Sequence, residues 1–204
     1  MREPEGAAAP GGPHGPDLPP LAAEDHRCAR CELFYPDVTV EHAVAAVRGV
    51  PDAARGAVLA VPSGKRRERP EPGTWSVTEY VCHLRDVYVA YTIRLHRART
   101  EDRPQLEPML NDLRARRFRY NERDVSPVLD DLARCAVGFC DEVARTGEAD
   151  WSRVVTRLPG EQRTALWLVR QAMHEGVHHV RDIRLVGEWV SADGPQGVIP
   201  PRRG

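Results

Sequence analysis

The stretch EQRTALWLVRQAMHEGVHHVRDIRLVGEWV, Glu161–Val190, restricts the fold more than any other part of the chain. Its apolar residues recur at helical spacing from about Arg163 to Trp189, which predicts one long helix. Three further segments carry helix signals. WSVTEYVCHLRDVYVAYTIRLHRA opens with Ser76 and Glu79 spaced as a capping box, in which hydroxyl and carboxylate satisfy the first free backbone donors, and predicts a helix over about Val77–Thr100. SPVLDDLARCAVGFCDEVAR offers Ser126 as N-cap, Pro127 at the first helical position, and Asp130 and Asp131 in the first turn, where the helix dipole favours negative charge. TVEHAVAAVRGVPDAARGAVLAV takes Thr39 as N-cap, with Gly49 and Pro51 expected to break it into two short helices. PSGKRRERPEPG between the first and second helices reads as an exposed linker. No segment reads as a convincing strand, and no repeat is present. With a long connection, Glu101 to Val125, between the second and third helices, the pattern specifies an all-α four-helix bundle.

Size and charge narrow the function classes. A chain of 204 residues with a formal net charge of -1 forms one domain and has no bulk attraction to nucleic acid or anionic membrane. The basic runs KRRER and RARRFR read as solvated faces. Only one lysine, Lys65, and two asparagines, Asn111 and Asn121, occur, which fits a GC-rich bacterial genome. Met1 to Glu24 is rich in Pro, Gly and Ala and is expected to be a disordered tail, followed by a bundle domain over 25–190 and a second tail over 191–204. No apolar run approaches the roughly 20 residues that cross a bilayer, and the N-terminus lacks the apolar core of a secretory signal, so a cytoplasmic location is expected. Five cysteines, an odd number, do not make a secreted disulfide framework; reduced thiols are expected.

The chemistry-bearing residues are histidines. His174 and His178 lie four apart on the last helix and differ by only about 40° around its axis, so both imidazoles can reach one point. Burying two neutral imidazoles together requires partners for both, and a metal ion is one such partner. The letters H-E-x-x-H also spell a zinc peptidase, with Glu175 as its base. The downstream positions that would close that site are Arg181 and Arg184, however, and Glu188 is about 15 Å along the axis. Glu175 is therefore expected to be solvated or salt-bridged. A third ligand must come from upstream, and His83, central on the inward stripe Tyr80, His83, Val87, Ala90, is the candidate. His179 points well away from His174 and is set aside.

WSVTEYVCHLRDV, RYNERD and HEGVHHVRDI together make the chain resemble the DinB/YfiT-like metalloenzyme family over about Cys28 to Val190, and CARCELFYPD resembles the Cys-x-x-Cys leader of an actinobacterial branch of it. The resemblance implies that His83, His174 and His178 hold one divalent metal, zinc, nickel or similar, at the mouth of the bundle. It implies a thiol-dependent transferase or isomerase acting on a small molecule, with a low-molecular-weight thiol such as mycothiol or bacillithiol as cosubstrate, and a homodimer. Such an ion can deprotonate a coordinated thiol at neutral pH.

Glu79 and Asp86, one turn either side of His83, are candidate catalytic or ligand-orienting groups, against capping for Glu79 and a surface ion pair for Asp86. Asn121 in RYNERD is the third candidate. Cys28 and Cys31 admit three readings: thiols packing a leader, a small structural metal site that His26 would join, or a redox pair. A bundle that binds metal or ligand without turnover is the alternative to an enzyme, and a metallopeptidase is a distant third.

Overall fold

The computed structural model describes residues 18–158 and 160–192. Residues 1–17 and 193–204, most of the two expected tails, lie outside the described residues. Among the described residues five α-helices run α1 (Val40–Leu59), α2 (Val77–Thr100), α3 (Asn111–Arg117), α4 (Val125–Ala144) and α5 (Ala165–Ser191). The four long ones form the bundle. Helix α1 packs on α5, α5 on α2, α2 on α4 and α4 back on α1, so the consecutive helices α1 and α2 sit on a diagonal.

Local chemistry accounts for the helix ends. Thr39 caps α1 by accepting from the His42 amide at 3.2 Å. The Ser76–Glu79 capping box on α2 forms as expected. The Thr164 hydroxyl accepts from Trp167 N at 3.0 Å to start α5. Two expectations are corrected. Helix α1 is continuous through Pro51, because Val47, Val50, Ala54, Ala57 and Val58 make one buried face whose packing outweighs the missing amide. Helix α4 begins two residues earlier than expected, capped by Asp124, whose carboxylate accepts from the Ser126 amide at 3.1 Å.

Two three-residue strands were not expected: β1 (Val154–Thr156) pairs antiparallel with β2 (Gln162–Thr164), with Val154 opposite Thr164. Runs this short carry no readable alternation, and only Val155 is buried. The hairpin anchors two connections. Leu106 N donates to Thr156 O at 2.6 Å, tying down the α2–α3 connection. On its other side the segment from Pro19 to Glu24, expected to be disordered, is docked: Leu21 N donates to Glu161 at 2.9 Å, Arg163 donates to the carbonyls of Leu21 and Ala22, and Glu24 accepts from Thr164 N at 2.7 Å. Leu21 and Ala22 pack on the core. Polar contacts to hairpin arginines and a helix start hold a segment whose composition alone would leave it unfolded.

The core is lined by Tyr35, Leu84, Tyr88, Leu95, Tyr120, Leu132, Phe139, Trp167, Leu168 and Ile183, and burial of each such side chain contributes roughly 1.5–3 kcal/mol. At Gly176 the side chains of α1 and α2 press against the α5 backbone. A methyl group there would overlap the Tyr88 hydroxyl and lie 2.8 Å from Val50 Cγ2, so glycine lets α5 seat against α1 and α2. None of the described helices is long and apolar enough to cross a membrane.

Candidate metal centre

Helix α5 carries two interleaved donor pairs, His174 with His178 and Glu175 with His179. Each pair is four residues apart, and the second is turned about 100° from the first. One stretch of helix therefore presents donors in two directions. His174 and His178 meet Cys28 and Cys31 of the leader before α1, with one donor atom from each of the four within 4.8 Å of the others. Glu175 and His179 meet His83 of α2 under the same limit. The three histidines expected to share one ion are thus divided: His83 is in one cluster, His174 and His178 are in the other. The reason is angular. His83 approaches α5 from the α2 side, which Glu175 and His179 face, whereas the leader covers the side faced by His174 and His178.

In the second cluster His83 Nε2 lies 3.5 Å and His179 Nε2 3.1 Å from Glu175 Oε2. His179 Nδ1 lies 2.9 Å from Asp182 Oδ2, and Asp182 is 4% exposed. Burial alone would push the His179 imidazole down, but hydrogen bonds to Asp182 and Glu175 outweigh it and hold the group up at about 9. Burial likewise opposes the Glu175 carboxylate, yet contacts from His179 and His83 hold it well below its usual range. The His179 imidazole thus lies between the carboxylates of Glu175 and Asp182. Two imidazoles and a carboxylate, with a further carboxylate behind one imidazole, make the donor set of a three-ligand catalytic metal site, so these residues fit a divalent ion such as zinc.

Gln171 links the clusters. Its Nε2 donates to Glu175 Oε1 at 2.7 Å, and its Oε1 accepts from the Tyr35 hydroxyl at 2.5 Å. Tyr35 in turn lies 3.0 Å from His174 Nδ1. Rings close the rest of the site: Trp75 stands 5.0 Å from His83 and Tyr80 5.3 Å from His179, centroid to centroid.

The expected catalytic residues have other partners. Glu79, 1% exposed, accepts from Arg69 Nε at 2.8 Å and from Ser76 N at 3.0 Å, closing the capping box. Asp86, 7% exposed, accepts from Arg85 at 2.8 Å, Arg114 at 2.6 Å and the Tyr120 hydroxyl, so it is a buried junction and not a surface pair. Burial would raise its carboxyl, but Tyr120, Arg114 and Arg85 hold it down. Asn121 accepts from Ser76 Oγ at 2.6 Å and donates to Arg67 O at 3.0 Å. The pair that sequence reasoning passed over, Glu175 and His179, was visible as a second i, i+4 spacing offset by one residue from the first.

A family model described as the DinB superfamily matches residues 46–183. A protein of Geobacillus thermodenitrificans (strain NG80-2) carrying the description "Putative metal-dependent hydrolase" is 26% identical over 145 residues, which cover 71% of this chain and 82% of that protein. Among solved structures, YfiT from Bacillus subtilis, described as a probable metal-dependent hydrolase with an unusual four-helix bundle topology, superposes with a TM-score of 0.64 at 18% identity, covering 74% of this chain and 88% of that one. A mycothiol-dependent maleylpyruvate isomerase superposes with a TM-score of 0.58 at 15% identity, covering 79% and 75% of the two chains.

Proposed function

Since the chain belongs to the DinB superfamily, we propose that it is a metal-dependent enzyme whose divalent ion, zinc, nickel or similar, is held by His83, Glu175 and His179. The observation that carries this reading is the convergence of those three donors from α2 and α5, with Asp182 behind His179. The reaction we propose is group transfer to, or isomerisation of, a small electrophile with a low-molecular-weight thiol as cosubstrate. The mycothiol-dependent isomerase with the same fold supports the thiol. An ion with three protein ligands supplies a Lewis acid and lowers the pKa of a coordinated thiol or water toward neutrality.

The chain's own residues do the rest. Asp182 accepts the Nδ1 proton of His179, which fixes the ring's tautomer and turns Nε2 toward Glu175 and His83. Gln171 holds Glu175 Oε1 and leaves Oε2 facing the two imidazoles. The Trp75 and Tyr80 rings limit water around His83 and His179. Glu79 and Asn121 then act as positioning residues for the start of α2, and Asp86 ties its middle to Arg114 and Tyr120.

The test is metal content and thiol consumption. His83→Ala should lose one equivalent of metal per chain, along with any chelator-sensitive condensation of a thiol with a small electrophile, while far-ultraviolet circular dichroism stays helical. A His83→Ala protein with the metal content of the wild type would refute the assignment.

A further inference from the structure

The leader carries a second set of donors that the proposed reaction does not use. Cys28 and Cys31 sit in a tight turn closed by Glu32 N donating to Cys28 O at 2.8 Å and Cys28 N donating to Leu33 O at 2.9 Å. Glu32 adopts φ 61°, a left-handed conformation unusual for a side-chain-bearing residue, which folds the chain back so that both sulfurs face α5. Opposite them stand His174 and His178, and Cys28 Sγ lies 3.4 Å from His178 Nδ1. We propose that Cys28, Cys31, His174 and His178 form a closed, four-coordinate zinc site that staples the leader to α5, separate from the site at His83, Glu175 and His179.

Three observations carry it. First, the donor set and its spacing, C-x-x-C with H-x-x-x-H, are those of structural zinc. Bonds of about 2.3 Å to sulfur and about 2.0 Å to nitrogen place tetrahedral donors about 3.3–3.8 Å apart. The four atoms already lie within 4.8 Å of one another, so little movement closes the shell.

Second, the hydrogen bonds around His174 leave one ring nitrogen with a free lone pair. Gln171 Nε2 donates to the Glu175 carboxylate, so its Oε1 is the acceptor facing Tyr35. The Tyr35 proton therefore goes to Gln171, and its oxygen accepts from Nδ1–H of His174. Nε2 of His174 must be the unprotonated nitrogen, and that atom is buried with no hydrogen-bond partner among the described residues. A buried, unpaired imidazole lone pair costs free energy that a metal ion would offset.

Third, His178 has an outer partner in place. Its Nε2 lies 3.7 Å from Asp182 Oδ2, and Arg30 donates to both Nε2 at 3.0 Å and Asp182 Oδ1 at 2.5 Å. On binding through Nδ1 the ring's proton moves to Nε2, so Arg30 Nη1 must swing off that nitrogen while Nη2 stays paired to Asp182 Oδ1, and Asp182 Oδ2 is the acceptor that closes on the new N–H. The overall exchange is balanced. Two S–H bonds break, two zinc–sulfur and two zinc–nitrogen bonds form, both thiol protons leave to buffer, and nothing is oxidised or reduced.

The site is tested by metal counting and by cobalt substitution in the full chain, purified without chelator or a metal-affinity column. Wild type should hold one more equivalent of zinc than Cys28→Ser/Cys31→Ser, while His83→Ala should keep its thiolate-bound metal. Cobalt(II)-loaded wild-type protein and His83→Ala should both show an intense thiolate-to-cobalt charge-transfer band in the near ultraviolet that Cys28→Ser/Cys31→Ser lacks. Equal zinc in wild type and the double cysteine variant would overturn the proposal. So would cobalt-loaded wild type with no thiolate band, or a Cys28–Cys31 disulfide in freshly purified protein; these outcomes need no variant to fold.

Discussion

Replacing Gly176 with Ala tests how tightly α5 is pressed into the bundle. In an isolated helix the change is favourable, since alanine exceeds glycine by about 1 kcal/mol in propensity. Here the new methyl would overlap the Tyr88 hydroxyl and stand 2.8 Å from Val50 Cγ2, where relaxed carbon contacts need about 3.5–4.0 Å. Tyr88 is fully buried and its ring lies tilted against Phe139, centroids 5.9 Å apart, so it has no open direction in which to withdraw. Overpacking of this kind costs about 1–3 kcal/mol and occasionally more; near the upper end it leaves a net loss of about 2 kcal/mol after the propensity gain. For a chain of this length that lowers Tm by about 4–8 °C. Urea unfolding followed by circular dichroism measures it directly. The partner variant sharpens the test, because Tyr88 Oη is buried with no hydrogen-bond partner among the described residues. Tyr88→Phe alone should be neutral or stabilising, and Gly176→Ala should cost at least about 1 kcal/mol less in that background. If Gly176→Ala is as stable as the wild type, propensity has won and the close approach of α5 to α2 is refuted.

Further outcomes follow from the same contacts. Asp182→Asn should weaken metal binding at His83, Glu175 and His179 by about 10–100-fold in a chelator competition, since it removes the acceptor that orients His179; unchanged affinity would refute that role. Glu175→Gln should lower metal content, where the role of a peptidase base would abolish peptide cleavage and leave metal in place. Asp86→Asn should cost about 2–4 kcal/mol near neutral pH, as a buried carboxylate leaves three donors behind. Because the folded-state pKa of Asp86 is depressed, its contribution is full above the ordinary carboxylate range and is lost as pH falls through the folded value, so wild type and variant should converge in acid. Deleting residues 1–24 should lower Tm by about 5 °C or more, because Glu24 and Leu21 leave the α5 start and the hairpin; an unchanged Tm would show that the docked segment contributes nothing.

Much of this architecture was legible where one signal dominates. The Ser76–Glu79 box placed α2 to the residue, and the unbroken periodicity after Arg163 placed α5. Signals that compete were misread. Pro51 outranks neighbouring valines in any local reading, yet the buried face that keeps α1 straight exists only once α4 and α5 are present. Ser126 is a good cap by type, but Asp124 two residues earlier is as good, and local sequence does not choose between them. At the site, the sequence shows two overlapping donor pairs on α5, and which pair faces His83 depends on the rotation of that helix, set by Gly176 and its neighbours on α1 and α2. The cysteines belong with His174 and His178 through contacts spanning about three quarters of the chain, which spacing alone cannot reveal.

The diagonal placement of α1 and α2 also governs how the molecule can be made. A chain leaving the ribosome presents α1 and α2 first, yet neither is the other's partner; both need α4 and α5 for their apolar faces. At about 5–20 residues per second, several seconds separate the emergence of α2 from that of α5. Until α5 arrives, the faces of α1 and α2 that pack on it, with Val50 and Tyr88 at Gly176, have nothing to bury against. Both donor clusters wait on the same event, because α5 supplies two members of each. Nascent chains halted before Ala165 should therefore stay protease-sensitive and engage chaperones, whatever metal is present, and should become resistant in one step when the last helix is released.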